Sequence, residues 1–196
     1  MRASGQRDPE TMSDVTAFLQ QRNSAPRLTE PAPDAGAREQ IYRAALRVPD
    51  HARLRPWRFV EVEKDRRHDL GRLFEASLLR LDPNADSSVR DKALAAPLRA
   101  PLIVVVFARP TDHPKVPPVE QRLSAACAAH AILLAAESLG YAGMWRTGNP
   151  AYDPEIVRGL GGAADEEIIA FLYLGTRDGD PRPLPPMETE DFVSRW

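Results

Sequence analysis

The chain has 196 residues, 43% of them hydrophobic and 28% charged, with a formal net charge of −2; that is enough for one domain with its own core. The charge is too balanced for nucleic-acid or membrane-surface binding through bulk electrostatics. One cysteine, Cys127, excludes an internal disulfide and fits a reducing compartment; with no apolar run near the ~20 residues of a bilayer span and no apolar centre at the N-terminus, a soluble, cytoplasmic protein is expected.

Residues 1–12 are polar and aperiodic and read as a disordered lead-in to a single domain over 13–196. Ser13 or Asp14 can cap a helix through VTAFLQQR, with Val15, Phe18 and Leu19 on one face. Pro31 and Pro33 keep the next stretch extended, and Asp34 caps a helix to about Arg47 that turns Ile41, Ala44, Ala45 and Val48 inward. A loop to Trp57 follows, then a strand through Phe59, Val60 and Val62. Leu70, Leu73, Phe74 and Leu78 mark a helix over about 65–81, and a short helix is predicted over 87–94.

The run LIVVVFA (102–108) is apolar on both faces and reads as a central strand. Four prolines (110, 114, 117, 118) exclude regular structure before a long helix over about 119–139, for which Gly140 is the C-terminal cap. Cys127 reads as a small buried hydrophobe in this Ala-rich helix, and His130 as an interface or core residue. A strand over 141–145, a helix opened by Asp153-Pro154 and a last strand over 167–174 complete the pattern. Helices and a small number of strands interleave, which favours an α+β class with a central mixed β-sheet covered by helices. No dinucleotide fingerprint or phosphate loop is present. The four histidines (51, 68, 113, 130) show no ligand spacing with the cysteine, so no metal is expected.

Three segments join cations, hydroxyls and a fixed turn at the end of an element: Arg22-Asn23-Ser24, Arg47-Val-Pro-Asp-His51 and Trp145-Arg146-Thr147-Gly148. Singly, each has a plain structural reading: a dipole partner, surface charges flanking a proline turn, a core aromatic beside a solvated arginine. Together with RAPLIVVVFA (99–108), HPKVPPVEQRLSAACAAHA (113–131) and IIAFLYLGT (168–176), and in this order, they resemble the nitroreductase family, in particular its small YdjA-like branch of NAD(P)H nitroreductases. The resemblance covers about residues 13–196.

The resemblance implies an intertwined homodimer of nitroreductase-like fold with one FMN per active site. Arg22, Asn23, Ser24, Arg47 and His51 match FMN-binding positions; the family's second arginine is Asn23 here, one positive charge fewer. Trp145, Arg146 and Thr147 match a segment contributed by the partner subunit. Such residues suit the ligand, since arginine forks meet phosphate oxygens, hydroxyls meet the ribityl chain, and a cation near the ring stabilises reduced flavin. The end of the long helix, Ala135, Ala136, Glu137, Ser138, Leu139 and Gly140, is associated in the family with nicotinamide, although Ala135, Ala136 and Leu139 read more readily as helix packing, which leaves Glu137 and Ser138 as the better polar contacts. The implied activity is hydride transfer from NAD(P)H through FMN to a nitroaromatic or quinone by a ping-pong mechanism, with no side chain acting as acid or base. The alternatives are a flavin store or sensor without turnover, docking through the 110–118 loop, a specialised flavin reaction such as dehalogenation, and a ligand-free interaction protein.

Overall fold

In the computed structural model, residues 9–196 are described, and they fall into two compact units, 24–179 and the terminal segments 9–23 with 180–196. In the larger unit, strand β1 (Leu28–Thr29) and helix α2 (Ala35–Ala45) precede β2 (Trp57–Glu63). Helices α3 (Arg66–Leu81) and α4 (Ser87–Ala95) lead to β3 (Leu102–Ala108), and α5 (Pro118–Ser138) to β4 (Ala142–Arg146). Helix α6 (Pro154–Gly159) and β5 (Glu167–Arg177) follow.

The sheet is antiparallel in every pair rather than mixed: β5 pairs with β1, β3 and β4, and β3 pairs with β2. The crossovers through α3–α4 and α5 return each chain to the sheet running against its neighbour. Every residue of β3 is buried, because neighbouring strands take both its edges and helices cover both its faces. Ile103, Val105 and Phe107 join one core with Leu70 and Phe74 of α3 and Ile156 of α6. Leu102, Val104 and Val106 join the other, with Ile41 of α2 and Ala125, Ala128, Ala129 and Ile132 of α5. The unbroken apolar run is thus the signature of a strand sandwiched on both faces.

Local signals place the helix ends. The Asp34 side chain accepts from Ala37 N at 2.8 Å, and that of Asp153 from Glu155 N at 2.8 Å, with Pro154 in the first turn. Gly140, at φ +85°, follows α5. Helix α2 ends at Ala45, and Ala44 lies exposed rather than inward. Cys127 is exposed, not buried: α5 buries the 125, 128, 129, 132, 136 stripe, and Cys127 lies on the opposite face with Leu123 and His130. Gln121 is buried and holds the Pro-rich loop, its side chain bonded to Thr111 N and O and to Val116 O.

In the smaller unit, helix α1 (Pro9–Gln21) begins ahead of Ser13 and Asp14, so neither is its cap. The first eight residues of the expected lead-in lie outside the described part. Val15 and Leu19 are exposed, as are Met187, Phe192 and Trp196 of the terminal segment, which has one helical turn at Thr189–Asp191. Among the described residues no helix is long and apolar enough to cross a membrane.

Candidate flavin and substrate site

Strand β4 carries the third sequence segment to one edge of the sheet. Its register sets Met144 opposite Tyr173, Trp145 opposite Leu172 and Arg146 opposite Phe171. Alternation along the strand sends Met144 to the core of the α3 face and Trp145 to the core of the α5 face. Arg146 follows Met144, and its guanidinium carbon lies 5.3 Å from the centre of the Tyr173 ring. Strand β4 lies close to its surroundings at Gly143, where a β-carbon would meet Leu133 Cδ2 at 2.6 Å and Leu174 Cδ2 at 2.9 Å. Beyond β4, Gly148 turns the chain at φ +80°, a conformation that glycine tolerates and other residues resist.

A cavity of about 560 Å³ opens here. One wall is the β4 end and its turn, with Arg146, Thr147 and Asn149; the floor is Phe171 and Tyr173 of β5; the facing wall is the α3–α4 hairpin. Beside the cavity, Asp153 takes hydrogen bonds from Arg80 and from Ser77, which lines it. Burial raises the Asp153 pKa, but the bonds from Ser77, Arg80 and Glu155 N outweigh it and hold the carboxyl below its ordinary range. Burial pushes the Tyr173 phenol up to about 12, against the opposing charges of Arg146 and Arg99.

Arg146 Nε is buried and has no hydrogen-bond partner among the described residues. Leaving a buried charged donor unpaired costs at least ~1–3 kcal/mol, and the ring beneath it accepts no conventional hydrogen bond. The atom therefore fits a ligand acceptor, such as a flavin carbonyl or phosphate oxygen, and the donor set suits FMN. This is the sort of group the arginine-and-hydroxyl segments were expected to meet.

The other predicted positions are placed as follows. Arg47 is exposed just beyond α2, and its side chain makes no bond among the described residues. His51 Nδ1 lies 2.7 Å from Glu120 Oε2 at the start of α5, and Ser124 Oγ donates to Pro49 O at 2.6 Å, so the 47–51 loop is seated on α5. The backbone just after it is unusual: Ala52, Arg53 and Arg55 have positive φ, held by the Asp50 carboxylate, which accepts from Leu54 N and Arg55 N at 3.0 Å. Ser24 precedes Ala25, whose N–H donates to Gly143 O of β4 at 3.0 Å. Arg22 and Asn23 belong to the terminal unit, where Asn23 Nδ2 donates to Arg182 O at 2.6 Å.

The structure brings Trp145, Arg146 and Thr147 together in one cavity, whose lining includes neither Arg47 nor His51. Ala135–Gly140 forms the close of α5, where Leu139 N bonds back to Ala135 O and Ala136 O, and Ser138 Oγ donates to Ala135 O at 2.9 Å. Ala136 is buried, Glu137 half-buried and Leu139 exposed, and none of this stretch lines the cavity. The cavity residues that the sequence did not single out are Tyr173, Phe171 and the α3–α4 wall. Their apolar stripes carry no mark to distinguish a cavity lining from core.

An antiparallel sheet sandwiched between α2–α5 and α3–α6, with an unpaired arginine over an edge cavity, defines a recognisable class. A model of the nitroreductase family matches residues 19–176, and the chain belongs to that family. It is 39% identical over 163 residues, 83% of this chain and 88% of the relative, to the Escherichia coli (strain K12) protein named "Putative NAD(P)H nitroreductase YdjA". The fold matches that of a nitroreductase-like family protein from Bacillus cereus, with a TM-score of 0.78 at 17% identity over 100% of this chain and 99% of that one. It also matches a Bacteroides fragilis nitroreductase with bound FMN, with a TM-score of 0.72 at 20% identity over 93% and 99% of the two chains.

Proposed function

We propose that the protein is an FMN-dependent NAD(P)H oxidoreductase whose acceptors are quinones or nitroaromatics. Family membership supports the class, and the observation that carries the flavin reading is the buried, partnerless Arg146 Nε over a largely apolar cavity. The Escherichia coli relative is named for NAD(P)H, and the Bacteroides fragilis structure contains FMN. Bound FMN would supply a reversible two-electron acceptor. Arg22, Asn23, Ser24, Arg47 and His51 of one subunit, with Trp145, Arg146 and Thr147 of the other, are the residues assigned to hold it, and the end of α5 (Ala135–Gly140) is assigned to the nicotinamide. Arg47 is free for such a task, while Glu120 orients His51.

In the overall reaction two electrons and a proton leave NAD(P)H as hydride and reach the acceptor, and water supplies the second proton. A quinone leaves as hydroquinone and NAD(P)⁺ is released. The protein's part is orientation, exclusion of water and electrostatic tuning. Donor and acceptor occupy the site in turn, which gives ping-pong kinetics.

The homodimer belongs to the same proposal. Helix α5 exposes Val119 (55%) and Leu123 (60%) beside Cys127 and His130, an apolar stripe that a second copy would cover. Sedimentation equilibrium is expected to give twice the chain mass.

The visible spectrum of the purified protein tests the central claim. A flavin band near neutral pH should bleach on anaerobic addition of NADPH and return with a quinone. Protein that is colourless and cannot be reconstituted with FMN would rule the reading out; flavin that stays oxidised under excess NADPH would make the protein a store or sensor.

A further inference from the structure

The α3–α4 hairpin presents two helix faces to the cavity. Phe74, Leu78 and Leu81 stand at i, i+4 and i+7 on α3, and Val89 and Ala93 at i and i+4 on α4. Phe74 is buried against Phe171, with ring centres 5.1 Å apart, and belongs to the core. Towards the mouth the stripe changes character: Leu81 is 65% and Val89 41% exposed. Two large aliphatic side chains thus continue the cavity wall outward, left largely uncovered by the described residues. The polar groups sit at the opposite side, where Arg146 Nε is unpaired and the Tyr173 phenol is kept neutral. A cavity of this volume, apolar along the α3–α4 side and polar along the other, where Thr147 and Asn149 join Arg146, has the make-up of a small-molecule pocket.

We infer that the α3–α4 wall is the acceptor's specificity surface: Leu78, Leu81, Val89 and Ala93 take the apolar body of a fused-ring or alkyl-substituted quinone or nitroaromatic, whose reducible group is turned towards the flavin that Arg146 holds. This rests on the flavin reading above, which it deepens by naming the acceptor as bulky and apolar rather than small and polar. Discrimination follows from area, because each additional carbon laid against Leu81 and Val89 removes apolar surface from water, and a single unsubstituted ring has fewer carbons to offer them. Arg80 and Ser77 of α3 both bond Asp153, which follows the β4 turn in the chain, and so tie the wall to that side of the cavity.

The test is Val89→Trp, which fills the mouth at a partly exposed position, with Leu81→Ala as its opposite. In ping-pong turnover kcat/KM for an acceptor reports its own half-reaction, so the ratio between 2-methyl-1,4-naphthoquinone and 1,4-benzoquinone isolates the wall. Wild type is expected to favour the naphthoquinone. Val89→Trp should lower the ratio by about tenfold, and Leu81→Ala by several-fold, the size of effect a few methylene contacts produce. Flavin content should hold in both. A ratio that neither variant moves overturns the inference; so does loss of flavin from Val89→Trp, which would make the wall part of the cofactor's seat. Calorimetric titration of flavin-free protein with 2-methyl-1,4-naphthoquinone separates this idea from the cofactor reading. If wild type never binds FMN, naphthoquinone binding weakened about tenfold by Val89→Trp still supports the wall, and absence of binding overturns it.

Discussion

Arg58 and Arg146 occupy matching positions at the two edges of the sheet. Each lies over an aromatic ring of its neighbouring strand, Arg58 at 4.4 Å from the centre of Phe107 and Arg146 at 5.3 Å from that of Tyr173. There the likeness ends. Glu166, only 5% exposed in its side chain, accepts from Arg58 Nε at 2.9 Å and Nη2 at 2.7 Å, with Arg109 at 3.0 Å. It also accepts from Ala163 N at 2.9 Å. Arg146 has the ring and, among the described residues, no acceptor for Nε. Stacking supplies attraction to both, but only the carboxylate supplies lone pairs, so Arg58 is a finished structural joint while Arg146 is left for a ligand to complete.

Changes at the two arginines should therefore separate stability from ligand binding. The largest effect is expected for Glu166→Ala, which strands Arg58 and Ala163 N. Breaking a fully buried pair costs ~3–5 kcal/mol; because Arg58 is partly solvated, a loss of about 2–3 kcal/mol is expected in urea unfolding, with flavin content unchanged. The same joint should respond to pH. The bond from Arg58 holds the Glu166 carboxyl below its ordinary value of 4.5, outweighing the opposing effect of burial. A depressed carboxyl stabilises the fold above that ordinary value, and the contribution disappears as pH falls through the lower folded value. The stability gap between wild type and Glu166→Gln should therefore be full at pH 7 and shrink below about pH 4.5. A constant gap would show that Glu166 acts through shape alone.

Arg146→Ala is expected to invert the pattern. Charge-assisted bonds of ~1.5–3 kcal/mol correspond to a roughly 10- to 100-fold weaker FMN dissociation constant, read by fluorescence titration, while urea unfolding of the flavin-free protein moves little. Loss of stability as large as that of Glu166→Ala would abolish the distinction. Asp34→Ala is the smallest and serves as the scale: loss of the α2 cap should cost about 1 kcal/mol, with neither flavin nor acceptor affected.

What could be read without coordinates was whatever depends on neighbours along the chain. The caps at Asp34 and Asp153, the Gly140 stop, the α5 helix and the sandwiched β3 strand all rest on spacing or on side chains a few residues apart, and the family pattern rests on ordered segments. Tertiary structure alone decided the direction of the strands, because a run of apolar residues is the same in either sense. It also decided that Cys127 faces outward, since an Ala-rich helix gives no periodic contrast between its faces. It chose, too, which of many arginines would be satisfied: Arg58 and Glu166 are 108 residues apart, and nothing local foretells that one arginine meets a carboxylate while Arg146 meets an open cavity. Pairing across such distances is set by how the layers close, and that closure exists only in the folded chain.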